Sequence, residues 1–416
     1  MKKVMALLMT VQCSVLLAAT DNETPQDTRA NQPIKFSVTA GAGYTDNRDG
    51  LPKKESNVDF YITPMLALDL KWEETMLELS YAPSFRYRNS PSEFQNKSQL
   101  YHDFAANFKH KLSPSLEFRL IDNFNVTDDP SVQENGSTLR RDYSFTLNQT
   151  EVGAKYDISR LSNIDVLARY MFKRYDDTAA RTESDENRTD AGITFWHQPI
   201  KHLALTAAAN YSQYGYEKYL NTDRGFDSTL LGVGLEEVVS SDFRVGVKGG
   251  MQNVKYADKS MGSDSSPYGT VFAKVSTVPS THITASVSKM VRESFIFPFA
   301  SQDMTDFSVR LDWIAPAPEF MFALTGSYRV GDYAADTIPD ALKSQYATDP
   351  LLKDYVSSYN LKESGKENTY AISGEVAYQI SLGTTIKFVQ SYENVDSDVR
   401  WSFNRNSSNI MLTREF

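Results

Sequence analysis

Cysteine is almost missing. The 416-residue chain has one, Cys13, inside an apolar N-terminal run. Past that run there is no thiol for a disulfide framework, a thiolate metal site or a cysteine nucleophile. Met9-Thr10-Val11-Gln12 is also the wrong lead-in for a lipid-anchored cysteine. Net positive charge is lacking: 43 Lys and Arg against 53 Asp and Glu leave −10, which argues against a nucleic-acid surface. Beyond Val4 to Leu17 no long apolar run occurs, and the mean hydropathy is −0.43, so a bundle of membrane helices is excluded. The histidines are His102, His110, His197, His202 and His282, and they form no metal-binding spacing. No G-x-S-x-G or phosphate-binding loop occurs, so no enzyme activity, metal or cofactor is expected. The acidic stretches Asp128-Asp129 and Glu183-Ser184-Asp185-Glu186 lack the spacing of a Ca²⁺ loop. What the chain has in quantity is 23 Tyr and 23 Phe.

The N-terminus has the layout of a secretory signal. Met1-Lys2-Lys3 is basic, Val4 to Leu17 is apolar, and Ala18-Ala19 are small. Cleavage is expected after Ala19, giving a signal peptide at 1–19 and a polar lead-in at 20–33.

From Ile34 onwards polar and apolar residues alternate. In the stretch 77–88, Leu77, Leu79, Tyr81, Pro83, Phe85 and Tyr87 make one set and Glu78, Ser80, Ala82, Ser84, Arg86 and Arg88 the other. Period 2 is the signature of a strand with one apolar and one polar face. Twelve residues exceed the usual globular strand and suit a tilted crossing of a bilayer, which takes roughly nine to eleven. Short connectors, such as those near 73–74, 112–114, 159–161 and 381–383, take turns with longer polar ones, such as 47–57, 127–140 and 333–366. That asymmetry belongs to outer-membrane barrels, with tight periplasmic turns and longer external loops. The expected fold is all-β: a transmembrane antiparallel up-and-down β-barrel over 34–416, with about 18 strands in a range of 16–18. Periodicity is weaker over 267–290, and Pro64 and Pro83 predict bulges inside strands.

A barrel of this strand number leaves an aqueous lumen unless something plugs it. The polar set then gives the candidate pore-lining residues Glu78, Arg86, Arg88, Arg119, Arg169, Lys173, Arg310, Asp312 and Glu375. Arg86, Arg88, Arg119, Arg169 and Lys173 read either as a basic band filtering an anionic solute or as a solvated wall of paired charges. In the longest loop, Ala341-Leu342, Tyr346, Leu351-Leu352 and Tyr355 lie at near-helical spacing. That loop reads as an inward constriction or as an exposed lid.

The signal, the alternating strands, the asymmetric connectors and the terminal Phe416, with Ile410 and Leu412 on its face, together resemble the outer-membrane porin superfamily. Phe416 resembles the assembly signal of such barrels, while Arg414 stands where an apolar residue is usual. The opening segment Phe36 to Asn47 resembles β-barrel porins found beside exopolysaccharide-export genes. The resemblance implies an outer-membrane channel passing small solutes or a polysaccharide chain. The alternatives are a structural barrel anchoring an exopolysaccharide-export complex, or a surface receptor or enzyme built on the loops. The implied partners are outer-membrane lipid and lipopolysaccharide, the barrel-assembly machinery and polysaccharide-export proteins, with no nucleic acid. A homo-oligomer is left open.

Overall fold

The structure, a computed structural model, describes residues 33–416 except 49, 51, 92–95, 128–143, 177–184, 219–221, 279, 295, 316–319, 346–347, 349–356, 358–359 and 361. The expected signal peptide, Asp128-Asp129 and Glu183-Ser184 lie outside the described residues.

Eighteen antiparallel strands form one closed sheet. They are β1 (Ile34–Thr45), β2 (Asn57–Lys71), β3 in two pieces (Thr75–Tyr81 and Ser84–Arg88), β4 (Ser98–Ser113), β5 (Leu116–Thr127) and β6 (Phe145–Ser159). Then come β7 (Ser162–Tyr175), β8 (Glu186–Ile200), β9 (Leu203–Tyr216), β10 (Phe226–Val238), β11 (Phe243–Tyr256) and β12 (Ser263–Val278). The last six are β13 (Thr281–Glu293), β14 (Ser301–Ile314), β15 (Phe320–Tyr333), β16 (Gly365–Ser381), β17 (Thr384–Ser397) and β18 (Phe403–Glu415). Each pairs with the next, and β18 pairs back with β1 from Ser37↔Glu415 to Thr45↔Ser407. The Thr39 and Thr413 hydroxyls meet across that seam at 2.8 Å. Phe416 donates its N–H to the Phe36 carbonyl at 2.9 Å and rests its ring 5.5 Å from the Phe36 ring.

The polarity is inside out. Ile34, Phe60 and Val233 are 60%, 52% and 69% exposed, whereas Arg88 and Lys173 are 1% and 2% exposed. The alternation therefore turns its apolar set outward and its polar set into the barrel. Outward aromatics gather in two belts. Phe307, Tyr328 and Tyr370 contact in series at one end, at 5.9 and 4.5 Å. Trp313, Phe320 and Tyr378 do so at the other, at 6.4 and 6.5 Å. Eight residues separate Tyr328 from Phe320, about 27 Å along a strand and about 21 Å along the axis at the usual tilt, close to the ~25 Å apolar band of such barrels. Short turns such as 160–161 and 382–383 close the Trp313 end, so that end is periplasmic.

Two departures from simple alternation have local causes. Phe272 on β12 points inward because Gly246, its partner on β11, leaves room for the ring; a Cβ at Gly246 would collide with it. That inward phenylalanine is why the β12 pattern is weak. The expected bulges at Pro64 and Pro83 are absent. Leu66↔Tyr81 and Ile62↔Phe85 keep one register on both sides of the break in β3, so no extra residue is inserted and Pro83 stands opposite Pro64. The Ala82 N–H donates to Asp103 on β4, so the Pro83 nitrogen turns toward β2. The Asp69 N–H donates to Pro33 on the β1 side, so the Pro64 nitrogen turns toward β3. Both missing donors fall on one rung.

Candidate functional site in the lumen wall

Inward-facing charges come from every second residue of the strands, and the register decides which of them meet. On β5 to β8 they form a ladder of alternating sign. Arg119 on β5 holds Asp165 on β7 through two N–H donors, at 2.6 and 2.8 Å, and reaches Glu151 on β6 at 3.4 Å. Glu151 also accepts from Arg169 on β7 at 2.8 Å. Asp190 on β8 is the cross-strand neighbour of Arg169 and lies 2.8 Å from Arg188. Arg188 in turn lies 3.7 Å from Glu293 at the end of β13. Arg119 and Arg169 thus share Glu151, and two-point geometry at Asp165 fixes the planar guanidinium against the wall.

The other candidate residues divide. Arg86 and Arg88 both approach Asp59 on β2, at 3.6 and 4.0 Å, and both lie over the Tyr101 ring. Arg88 also donates to the Tyr101 hydroxyl. Lys173 stacks over Phe145 and Tyr175, at 4.6 and 4.9 Å, beside its register partner Glu186. Glu78 accepts from Asn107 at 2.8 Å. Arg310 grips Asp312 at 2.6 Å, and Glu375 pairs with Lys387 at 2.6 Å. The five cations of the suspected basic band therefore each have an acidic neighbour. Pairing is a matter of register between strands, so alternation along one strand carries no sign of it. Sequence reasoning also missed Lys248 and Lys274. They lie on the inward sets of β11 and β12, near the Arg244–Glu236 pair at 3.2 Å. Neither lysine has an ion pair among the described residues.

A serine–histidine pair also faces the lumen: Ser276 Oγ lies 2.9 Å from His282 Nδ1, and Asp312 is the cross-strand neighbour of His282. Arg310 holds both carboxylate oxygens of that aspartate, at 2.9 Å each, so Asp312 already has its cation. Among the described residues no group of three or more His, Cys, Asp or Glu could hold a metal ion.

The external mouth is built differently. Between β13 and β14, Ser294 and residues 296–300 are packed against the wall, with Ser294, Phe299 and Ala300 buried. Tyr216, at the end of β9 four strands away, donates its hydroxyl to the Ala300 carbonyl at 3.0 Å and accepts from the Ser294 N–H at 3.1 Å. Arg224 donates to the Phe299 carbonyl at 3.0 Å and stacks over Tyr216 and Phe297, at 4.4 and 5.0 Å. Residues 337–342 of the longest loop pack on this segment. Its helix α1 (Asp340–Gln345) brings Leu342, with Ile338, into an apolar cluster of Ile296, Phe297, Phe299, Tyr333 and Val399. Helical spacing was legible there; Tyr346, Leu351-Leu352 and Tyr355 lie outside the described residues.

No family model and no curated protein matches the chain. Solved structures similar to it include Acinetobacter baumannii OccAB3, 11% identical over 92% of this chain and 99% of that one, with a TM-score of 0.45. Pseudomonas aeruginosa OprD is 9% identical over 92% and 95%, at 0.47. The siderophore receptor PirA of Pseudomonas aeruginosa is 9% identical over 92% and 80%, also at 0.47. The evenness of the strand number, the closure of β18 on β1, the outward apolar face and the two aromatic belts make this chain an outer-membrane β-barrel with the architecture of the porins.

Proposed function

We propose that the protein is a passive channel for small polar solutes. The observation that carries this reading is the inward wall: in a closed 18-stranded barrel, Arg119 on β5, Glu151 on β6, Asp165 and Arg169 on β7 and Asp190 on β8 all lie on the face turned away from lipid. Such a wall stays wet, and a barrel of this size is too wide for its side chains to fill. The mouth favours small solutes over a polysaccharide chain, because residues 296–300 and the cluster of Ile296, Phe297 and Leu342 take up part of the opening. Purified protein in planar bilayers should give discrete current steps, and liposomes carrying it should admit monosaccharides faster than long dextrins. A folded barrel that passes no current above a protein-free bilayer would refute the channel. Equal passage of short and long sugars would refute only the size limit.

A further inference from the structure

The ladder between β12 and β13 stops early. On its other side β12 stays paired with β11 out to Ser263↔Lys255, and β13 stays paired with β14 out to Glu293↔Ser301. Between β12 and β13 the last rung toward the external end is Gly269↔Lys289. Ser263 to Tyr268 and Met290 to Glu293 do not pair with each other. Continued, the same register would set Pro267 opposite Val291. Val291 directs both its N–H and its C=O to Gln252 of β11, the strand beyond β12. An antiparallel partner at such a rung must return one donor and one acceptor. Pro267 has no N–H and cannot.

The Gln252 side chain takes the place of that missing rung. Its amide oxygen accepts from the Val291 N–H at 2.9 Å, and its nitrogen donates to the Val291 carbonyl at 2.8 Å. The second amide hydrogen goes to Ser228 Oγ at 2.9 Å. A carboxamide carries the same donor and acceptor as a peptide group, so the exchange is like for like. The replacement moves the strand, because Gln252 lies on the inward set of β11, opposite to the exposed Val247 and Met251. Val291 shares the outward set of β13 with the exposed Val287, yet it is buried with Tyr214, Phe226, Val254 and Tyr256. Those four belong to the inward sets of β9 to β11, opposite to the exposed Tyr211, Leu231 and Met251. The external end of β13 therefore lies on the inner face of β9 to β11. Its neighbours agree: Ser301 Oγ lies 2.6 Å from the Tyr256 hydroxyl, and Glu293 lies 3.7 Å from Arg188 of β8. Residues 296–300 at the mouth follow directly from this displaced end.

We propose that Gln252 is a positioning residue that sets the size limit of the channel. By replacing the rung that Pro267 cannot make, it holds the ends of β13 and β14 inside the barrel and keeps residues 296–300 across the mouth. This role rests on the channel reading above. It assigns the narrowing to one buried amide in the wall rather than to the length of a loop.

The test uses the full chain with Cys13→Ser, with folding read by heat-dependent gel mobility. Gln252→Leu keeps the bulk and removes donor and acceptor together; Gln252→Glu keeps the acceptor for the Val291 N–H. Single-channel conductance should rise roughly twofold in Gln252→Leu and less in Gln252→Glu. Liposomes carrying Gln252→Leu should also admit dextrins that the unsubstituted protein holds back. Pro267→Val supplies the missing donor, so added to Gln252→Leu it should let β13 rejoin β12 and give the widest pore. A second measurement does not depend on conduction. Val254→Cys and Val291→Cys together should be joined by a short bifunctional thiol reagent, and Gln252→Leu should lower the yield about fivefold. Unchanged conductance and dextrin exclusion in folded Gln252→Leu, or an undiminished link, would overturn the role of Gln252 and leave the channel standing. No current from the unsubstituted protein would remove the channel, and the size-limiting role with it, even where the link still forms.

Discussion

Pro64 and Pro83 face one another across β2 and β3, each turning its donor-less nitrogen toward the other. Two prolines in separate rungs would have weakened the ladder on both sides of each strand. Placed together, they leave β1–β2 and β3–β4 intact and confine the loss to a single rung. Pro83→Val should restore one N–H donor there and stabilise the barrel by about 1 kcal/mol. Pro64→Val with it should restore the second, for about 2 kcal/mol in all. Urea unfolding in micelles measures both, and no gain from either would show that the rung is kept open by something other than proline.

Glu151 answers two arginines, so its loss should be felt in both. Glu151→Gln leaves Arg119 with Asp165 and leaves Arg169 without its carboxylate contact at 2.8 Å. The cost should be about 1–3 kcal/mol of stability. The lumen should also become more permeable to anions, read as a shift of reversal potential under a salt gradient. Stability lost with reversal potential unchanged would mean that this wall does not line the conducting path.

Arg224 ties the inward segment to the wall. Arg224→Ala removes the donor to the Phe299 carbonyl and the cation stacked on Tyr216 and Phe297. Single-channel conductance should rise and become noisier, with barrel stability changed little because β9 and β10 keep their own ladder. Conductance equal to that of the unsubstituted protein would place the narrowest part of the path elsewhere.

Acid should loosen the first external connector. Burial pushes the Asp46 carboxyl up, but the Asn406 N–H, the Lys54 ammonium and the Asn406 side-chain amide outweigh it and hold the group below its ordinary value. A carboxyl held low adds stability above its ordinary pKa of 3.8 and loses it as pH falls through the lowered value. Proteolysis within 46–56 should therefore quicken at low pH with an acid-active protease. Asp46→Asn should show the faster cleavage already at neutral pH, where the native carboxylate is charged.

Much of the barrel was legible because lipid imposes a rule on every second residue. Phe36 and Tyr44 had to face outward once Ile34 did, and the connector lengths then set which end was which. Legibility failed where a residue answers to a neighbour far along the chain. Asp59 meets Arg86 because β2 and β3 share a register, and Glu293 meets Arg188 across strands that are not sequence neighbours. Neither pairing leaves a periodic trace, although Arg86 itself belongs to the alternating polar set. The inward Phe272 failed for the opposite reason: it breaks the pattern locally to fill the space above Gly246.

The seam between β1 and β18 has a consequence in time. Tyr44 must find Ser408, and Ser37 must find Glu415, after all the intervening strands have been laid down in order. Until then the growing sheet has two unsatisfied edges, each able to pair with any other exposed strand. Contacts of such sequence separation close slowly. Completion is thus a single late event, and a chain cut before residue 403 would carry its open edges permanently and be drawn into aggregates.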